Sequence, residues 1–213
     1  MPIELKISND PEIELSIWRV TEPESYFESK LDIHGPEEEI IEKLSARKKL
    51  EWLASRYLLH LMSGRALRGE FDKDEHGKPH LKDSDYHVSI SHSNNHISVI
   101  ASPHLVGIDI QKYVRNISRI RSKFVTEVEE KFIDESDPTR MLHIIWGAKE
   151  SLYKAYGKRG LGFKKHIHVH SISGTNKQGA FKGKVLKGSY EKEFDLFYHF
   201  FDEYILVYAK ESC

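Results

Sequence analysis

Residues 86–111 read YHVSISHSNNHISVIASPHLVGIDIQ, and this stretch decides the class of fold. Apolar and polar residues alternate in three successive segments, which is the pattern of half-buried β-strands. Ser93-Asn94-Asn95 has the composition of a turn, so the first two segments are predicted to form a hairpin. In the third segment, Val106 to Gln111, the polar positions include Asp109 and Gln111. The sequence therefore predicts that these two side chains share one face of a strand.

Two long helices are predicted outside this stretch, over residues 45–62 and 137–157, where apolar residues recur every three or four positions. The second begins with Asp137-Pro138, a capping residue followed by proline. Strands are predicted to follow each helix. The order of a long helix and then strands thus occurs twice, which indicates two halves with similar element order.

The composition limits the classes of function. The 213 residues include 32 Lys and Arg and 33 Asp and Glu, for a net charge of −1. No global field therefore attracts nucleic acid or an anionic membrane. Cys213, the one cysteine, permits no intramolecular disulfide and no thiolate metal cage. The first residues lack the pattern of a signal peptide, and no apolar run is long enough to span a bilayer. We expect a cytoplasmic protein.

One set of residues combines into a chemical site. Glu150 and Lys154 lie four positions apart, hence one turn apart on one face of the predicted helix. With Asp109 on its strand, they supply the two carboxylates and the amine that could hold Mg²⁺ against a phosphate. Gln111 could add an amide carbonyl or hold a metal-bound water. The alternative is an ordinary surface pair between Glu150 and Lys154.

Several segments resemble, in the same order, the motifs of the 4′-phosphopantetheinyl transferase family. Its signature is a V-G-I-D strand followed about 40 residues later by W-x-x-K-E-[SA]-x-x-K, and here Asp109 and Glu150 are 41 positions apart. The matching segments are WLASR (52–56), GKP (77–79), SISHS (89–93), VGIDIQ (106–111), WGAKESLYK (146–154) and GLGF (160–163).

The resemblance implies an architecture. The length resembles that of the larger, Sfp-type class, whose members fold as two similar α/β halves in one pseudodimeric chain. The expected fold class is therefore α/β (α+β), with the active site at the interface of the halves. Residues 1–104 would form the half with the coenzyme A contacts, and residues 105–213 the half with the metal and catalytic motifs. A monomer is expected.

The resemblance also implies a reaction: transfer of the phosphopantetheine group of coenzyme A to a serine of an acyl or peptidyl carrier protein, with release of adenosine 3′,5′-bisphosphate. By motif match, Asp109 and Glu150 hold Mg²⁺. Glu150, directly or through a water molecule, takes the proton of the serine. Lys154 pairs with the diphosphate, and Lys149 lies beside the phosphates.

The same motifs imply a coenzyme A site in the N-terminal half. Arg56 matches a position that contacts the nucleotide phosphate, and Lys78 and Pro79 match a turn along the adenine and ribose. Ser91 and His92 match a strand end at the phosphates, with His92 donating to the 3′-phosphate. Arg47 and Lys48 are auxiliary candidates.

Gln111 departs from the family pattern. Many large members have an acid at this position, two residues after the aspartate. An amide is a poorer Mg²⁺ ligand than a carboxylate, so we expect water in its place. This difference also leaves open a second function, a coenzyme A or nucleotide-binding relative without transferase activity.

The segment from Lys112 to Lys123 contains five basic residues and no acid. Such a run is usually a solvated face, yet it directly follows the metal strand, and carrier proteins present an acidic helix beside their serine. It is therefore also a candidate docking surface, with the residues Lys112, Arg115, Arg119 and Arg121. RNA binding is disfavoured, because interleaved aromatic residues and a positive net charge are absent.

His166, His168 and His170 alternate along a predicted strand and could share one face. A zinc site needs such clustering, but a solvated strand face explains the pattern more simply.

Overall fold

The computed structural model describes residues 3–7 and 10–212; Cys213 lies outside this part of the chain. The described residues of the N-terminal part form three helices and six strands. In chain order they are β1 (Ile3–Ile7), β2 (Glu14–Arg19), α1 (Glu24–Glu28), α2 (Gly35–Glu42), α3 (Ala46–Ser63), β3 (Phe71–Lys73), β4 (Pro79–Leu81), β5 (His87–Ser93) and β6 (His96–Ser102). The strands form an antiparallel sheet in the order β1-β2-β6-β5-β4-β3.

The C-terminal part forms a second antiparallel sheet, in the order β7-β12-β11-β10-β8, with β9 paired to β10. Its elements are β7 (Val106–Lys112), a 3₁₀ helix (Arg115–Ile120), α4 (Arg121–Phe124), α5 (Glu127–Glu130), α6 (Pro138–Tyr156), α7 (Phe163–His166), β8 (Ile167–Val169), β9 (Ser173–Gly174), β10 (Gln178–Lys187), β11 (Tyr190–Phe201) and β12 (Tyr204–Glu211). The α/β class predicted from the sequence is confirmed.

Both long helices use the signals that the sequence contains. The Asp137 side chain accepts a hydrogen bond from the Arg140 N–H at 3.2 Å and so caps α6. Gly64 and Gly157 end α3 and α6 in the left-handed conformation, with φ of 60° and 75°, where a side chain would be strained. Each helix buries its apolar stripe against one of the two sheets.

A third apolar cluster joins the two sheets. It contains residues of β2, β6, β7 and β12, namely Leu15, Ile17, Ile100, Val106, Ile108, Ile110, Tyr204, Leu206 and Tyr208, together with Ile13. Burial of this much apolar surface holds β7 firmly against the first sheet.

A ladder of three serines also connects β5 to β7. β7 is the edge strand of its sheet, and its outward N–H groups need acceptors. The Oγ atoms of Ser89, Ser91 and Ser93 accept from the N–H groups of Ile108, Ile110 and Lys112, each at 3.2 Å. β5 is therefore not the half-buried strand that the alternation predicts, since Ser89 and Ser91 are buried too.

Helix α6 crosses β7 at a distance that only glycine permits. A Cβ atom on Gly107 would lie 1.9 Å from the carbonyl oxygen of Ser151, and one on Gly147 would lie 2.5 Å from Val207 Cγ2. The Ser151 hydroxyl donates to the Val207 carbonyl at 2.9 Å and fixes the helix there. This close contact brings the helix residues Glu150 and Lys154 next to the strand residue Asp109.

One expectation about the histidine face is wrong. His166 ends the helical turn α7, and its Nδ1 accepts from the Gly162 N–H at 2.8 Å, so it does not continue the face of a strand with His168 and His170.

Among the residues described here, no helix has both the length and the apolar character needed to cross a membrane.

Candidate active site

Asp109 is the centre of a hydrogen-bonded group that draws on three elements. Its Oδ1 atom accepts from Lys154 Nζ of α6 at 3.0 Å and from Ser91 Oγ of β5 at 3.2 Å. Lys154 Nζ also donates to Ser91 Oγ at 2.9 Å and to the Ile108 carbonyl at 2.8 Å. Asp109 is 8% exposed. The structure thus brings the predicted residues Asp109, Ser91 and Lys154 together, with Ser91 from the other half of the chain.

Glu150 lies beside this group as a second carboxylate. Burial, and then the negative charge of Asp109, raise the pKa of Glu150, whereas Lys154 lowers it. Within the part of the chain that the structure describes, Glu150 has no hydrogen-bond or ion-pair partner. A partly buried carboxylate next to another carboxylate is a group that a cation or a proton would stabilise.

The donor set fits a hard divalent cation. Asp109 and Glu150 offer carboxylate oxygens, which Mg²⁺ prefers, and Mg²⁺ commonly takes one or two carboxylates with water and substrate phosphate as the remaining ligands. No cluster of three or more His, Cys, Asp or Glu suited to a metal occurs among the described residues. Asp109 and Glu150 would provide the carboxylate ligands of a Mg²⁺ ion that takes its other ligands from water and substrate oxygens.

The structure turns the carbonyl group of Gln111 away from Asp109. Gln111 Oε1 lies 2.8 Å from His143 Nδ1, and Gln111 Nε2 donates to the His143 carbonyl at 3.2 Å and toward Asp109 Oδ2 at 3.4 Å. Gln111 therefore contacts the predicted metal ligand as a hydrogen-bond donor, while its carbonyl oxygen faces His143. The expectation that water takes its place at the metal stays a prediction. His143 is buried, and burial lowers the pKa of its ring, which keeps it neutral.

Lys149, which the resemblance places beside the coenzyme A phosphates, has its ammonium group in the interior of the C-terminal part. Its ammonium group is fully buried and donates to the carboxylate of Glu129 at 2.8 Å and to the carbonyls of Phe124 and Phe163 at 2.7 and 3.0 Å. These three acceptors use all three of its N–H donors. Glu129 in turn accepts from the Val169 N–H at 3.1 Å. Lys149 therefore ties α6 to α5 and β8 inside the C-terminal half.

A cleft of about 460 Å³ lies between the N-terminal half and the end of α6. It is lined by seven Lys and Arg residues and one acid, Glu51. The basic residues are Lys48, Arg56, Lys73, Lys78, Lys154, Lys158 and Arg159. Such a concentration of positive charge in a concave site attracts polyanions, and the overall net charge of −1 gives no sign of it.

Arg56 is the most unusual of these cations because it is buried and, among the described residues, has no carboxylate within hydrogen-bond or ion-pair distance; the charge of Glu37 acts on it from further away. Its guanidinium lies over the rings of Trp52 and Phe71, 4.5 and 4.8 Å from their centroids, and is 6% exposed. Burial lowers its pKa to about 10. Its Nη1 donates to Ser55 Oγ at 3.2 Å, while its Nε has no partner among the described residues. A bound phosphate would supply the missing acceptors.

The other predicted coenzyme A residues fall into two groups. Lys48, Lys78, Pro79 and His92 line the cleft. Lys78 also donates to the Ala155 carbonyl at the end of α6, at 2.8 Å, and so links the two halves. Arg47 and Ser91 are not among the residues that line the cleft: Arg47 is largely exposed and pairs with Glu51 at 2.9 Å, and Ser91 is buried against Asp109 and Lys154.

Sequence reasoning missed three cleft residues, Lys73, Lys158 and Arg159. Burial, and then the charge of Arg56, lower the pKa of Lys73, as expected for an ammonium in a positive site. Lys158 and Arg159 directly follow Gly157, which ends α6. Their position between that glycine and the GLGF segment is a signal that could have identified them.

Two of the basic residues in the segment from Lys112 to Lys123 pair with acidic side chains. Lys112 pairs with Glu203 at 3.1 Å, and Arg121 pairs with Glu130. Arg119 lines a groove of about 330 Å³ that also contacts Gln111 and Trp146. A surface with an apolar floor therefore lies beside the Asp109 group, and it carries Arg119, which has no ion-pair partner among the described residues.

The sequence comparisons agree with this geometry. Residues 105–209 match the model of the 4′-phosphopantetheinyl transferase superfamily. The chain is 32% identical over 111 residues to the 4′-phosphopantetheinyl transferase gsp of Aneurinibacillus migulanus, which covers 51% of this chain and 46% of that relative. It is 32% identical over 92 residues to the 4′-phosphopantetheinyl transferase Sfp of Bacillus subtilis, with 41% of each chain covered.

These matches span less than half the length of the two relatives. The matched region nevertheless contains β7 with Asp109, α6 with Glu150 and Lys154, and the strands that support them. Over residues 105–209, this chain is similar to the 4′-phosphopantetheinyl transferase superfamily.

Proposed function

We propose that this protein transfers the 4′-phosphopantetheine group of coenzyme A to a serine hydroxyl of an acyl or peptidyl carrier protein. One observation carries the proposal: a cleft lined by seven basic side chains leads, at Lys154, to the adjacent carboxylates of Asp109 and Glu150. The cleft suits a ligand with several phosphates, and the carboxylates suit a reaction at one of them. The similarity of residues 105–209 to the 4′-phosphopantetheinyl transferases makes coenzyme A the expected ligand.

The cleft offers separate contacts for the two phosphate groups of coenzyme A. We assign the 3′-phosphate to Arg56 and His92, because Arg56 lacks an acidic partner and a guanidinium can bind a phosphate through two parallel hydrogen bonds. The turn of Lys78 and Pro79 would lie along the nucleoside. Lys154, with Lys158 and Arg159 beyond the end of α6, would then meet the diphosphate.

The reaction forms a bond between the serine oxygen and the phosphorus next to pantetheine. The bond from that phosphorus to the bridging oxygen breaks, and adenosine 3′,5′-bisphosphate leaves with the electron pair. Glu150, directly or through a water molecule, accepts the serine proton, a role suited to a carboxylate with a raised pKa. Lys154 neutralises the charge that develops on the leaving phosphate. Asp109 and Glu150 would hold Mg²⁺, whose charge adds to that neutralisation.

The proposal includes an arrangement of halves and a docking surface. Residues 1–104 would supply the nucleotide contacts and residues 105–213 the reacting groups, in a monomer with related halves that works in the cytoplasm. The carrier protein would approach along the groove beside Gln111, where Arg119 would face its acidic helix. Arg115, from the same basic segment, would add a second positive charge. Lys112 and Arg121 would contribute after exchanging their internal acidic partners.

Release of adenosine 3′,5′-bisphosphate tests this function. The protein is incubated with coenzyme A and Mg²⁺, with and without an apo carrier protein, and the nucleotide products are separated by chromatography. Release that requires the apo carrier supports transfer. Release without a carrier would indicate hydrolysis of coenzyme A, and binding of coenzyme A with no release for fatty-acid and peptidyl carriers alike would indicate a non-catalytic binding protein.

A further inference from the structure

His143 occupies a position in α6 from which its side chain contacts both β7 and the segment that follows it. The residue is 1% exposed. Its Nδ1 lies 2.8 Å from Gln111 Oε1 on β7, and its Nε2 lies 3.0 Å from the backbone nitrogen and 2.9 Å from the carbonyl oxygen of Val114. Its own backbone carbonyl accepts from Gln111 Nε2 at 3.2 Å. Gln111 is therefore held at both ends of its amide by one residue.

The neighbours of Gln111 decide which way its amide points. One of the two terminal atoms of the Gln111 amide lies between two acceptors, Asp109 Oδ2 at 3.4 Å and the His143 carbonyl oxygen at 3.2 Å. Only the NH₂ group can satisfy two acceptors, so this atom is nitrogen and the carbonyl oxygen faces the imidazole. Nδ1 of His143 must then donate. In a neutral ring Nε2 is then the acceptor and takes the Val114 N–H at 3.0 Å, whereas in a protonated ring it would donate to the Val114 carbonyl at 2.9 Å; Nδ1 donates to Gln111 in both cases.

The result is a directed chain of hydrogen bonds that ends at Asp109. It runs from the Val114 N–H to His143 Nε2, from His143 Nδ1–H to Gln111 Oε1, and from Gln111 Nε2–H to Asp109 Oδ2. Lys154 and Ser91 hold the other oxygen, Oδ1. Both oxygens of Asp109 thus have a fixed donor, which sets the plane of the carboxylate and leaves its remaining lone pairs for a further ligand.

We infer that His143 is a positioning residue of the metal site: it fixes Gln111 as a hydrogen-bond donor to Asp109, so that Gln111 orients a metal ligand and is not itself one. The inference rests on the proposed function, because it presumes that Asp109 binds the divalent ion. Outer hydrogen-bond partners of metal ligands commonly contribute about 10- to 100-fold to metal affinity. His143 and Gln111 together would then compensate for the missing third acid.

Two substitutions at position 143 separate this role from a purely structural one. His143→Asn keeps an amide N–H near the position of Nδ1 and loses the contact with Val114. His143→Gln keeps a polar group near the position of Nε2 and loses the contact with Gln111. Mn²⁺ binding is measured by electron paramagnetic resonance of the free ion, in the presence of coenzyme A, and thermal unfolding of each metal-free variant is measured as a check on folding.

We expect His143→Asn to bind Mn²⁺ within about threefold of the native protein and His143→Gln to bind about tenfold more weakly or worse, whatever their relative thermal stability. The opposite order, or equal affinity for both variants, would overturn the positioning role. A native protein that binds no Mn²⁺ with coenzyme A would instead refute the proposed metal site and, with it, the function.

A second background keeps the test decisive if one variant folds poorly. In Gln111→Met the amide is absent, so His143 has nothing to orient. His143→Gln added to Gln111→Met should then leave the Mn²⁺ affinity of the single variant unchanged. A further loss of about tenfold in the double variant would show that His143 acts on the site by a route other than Gln111.

Discussion

Lys154 on α6 donates a hydrogen bond to Asp109 on β7 across 3.0 Å. Glu150, one turn earlier on the same helix, has no hydrogen-bond or ion-pair partner among the described residues. One carboxylate of the site is therefore charge-balanced and the other is not. Asp109 is held in place by Lys154, Ser91 and Gln111, whereas Glu150 is free to take a cation or a proton. This asymmetry assigns different tasks to the two acids.

Replacement of Glu150 by Gln should remove most turnover and leave coenzyme A affinity within about tenfold. The substitution removes the proposed base, which typically contributes 10²- to 10⁴-fold, but no cation of the cleft. Turnover is measured by release of adenosine 3′,5′-bisphosphate, and affinity by calorimetry. Glu38→Gln, at an exposed position of α2, is the control. Native turnover in Glu150→Gln would remove Glu150 from the mechanism.

The same substitution should stabilise the metal-free protein at neutral pH. Burial and Asp109 raise the pKa of Glu150 in the folded state, so the folded protein binds this proton more tightly than the unfolded chain does. Stability therefore falls as pH rises through that pKa. Urea unfolding in EDTA should show an advantage for Glu150→Gln at pH 7 that disappears below the ordinary pKa of a glutamate. An equal advantage at both pH values would contradict the electrostatic cause.

Loss of Arg56 should weaken binding of coenzyme A far more than binding of dephospho-coenzyme A, which lacks the 3′-phosphate. Among the described residues no carboxylate pairs with the buried guanidinium, so a phosphate would be its counter-ion. Arg56→Ala is compared with Arg56→Lys, which keeps the charge and loses the planar fork. The Michaelis constants of both substrates are measured. Equal increases for the two substrates would place Arg56 away from the 3′-phosphate.

Lys149→Met should destabilise the fold without a specific effect on coenzyme A binding. It leaves the carboxylate of Glu129 buried and uncompensated, which costs about 3–5 kcal/mol when a buried pair is broken. Urea unfolding measures the loss, and Lys165→Met at an exposed neighbouring position is the control. If Lys149→Met had native stability and bound coenzyme A more weakly, Lys149 would instead be a phosphate contact.

Local periodicity was enough to predict the parts of the site that lie on single elements. Asp109 lies on a strand, and Glu150 and Lys154 lie one turn apart on a helix, as the sequence predicts. Periodicity predicts these positions because the geometry of a single strand or helix sets the direction of its side chains. What periodicity could not predict is where a side chain finds its partner. Lys149 stands next to Glu150 in sequence, yet points to Glu129 in the interior.

Contacts between distant segments account for the remaining differences. From the sequence pattern alone, the serines of β5 are expected on a solvated face. In the structure they accept hydrogen bonds from the N–H groups of β7, a strand that the local pattern of β5 does not indicate. Likewise, the cleft collects basic residues from α3, from the β3–β4 turn and from the segment after α6, so no single stretch of sequence reveals its charge. Family motifs indicated Arg56 and Lys78, but not Lys73.

The intact mass of an apo carrier protein tests the central claim most directly. The carrier is incubated with this protein, coenzyme A and Mg²⁺, with EDTA as the metal control and a carrier whose acceptor serine is replaced by alanine as the acceptor control. We predict a gain equal to one phosphopantetheine that disappears in both controls. No gain on fatty-acid or peptidyl carriers, under conditions where coenzyme A binds, would contradict the transferase assignment.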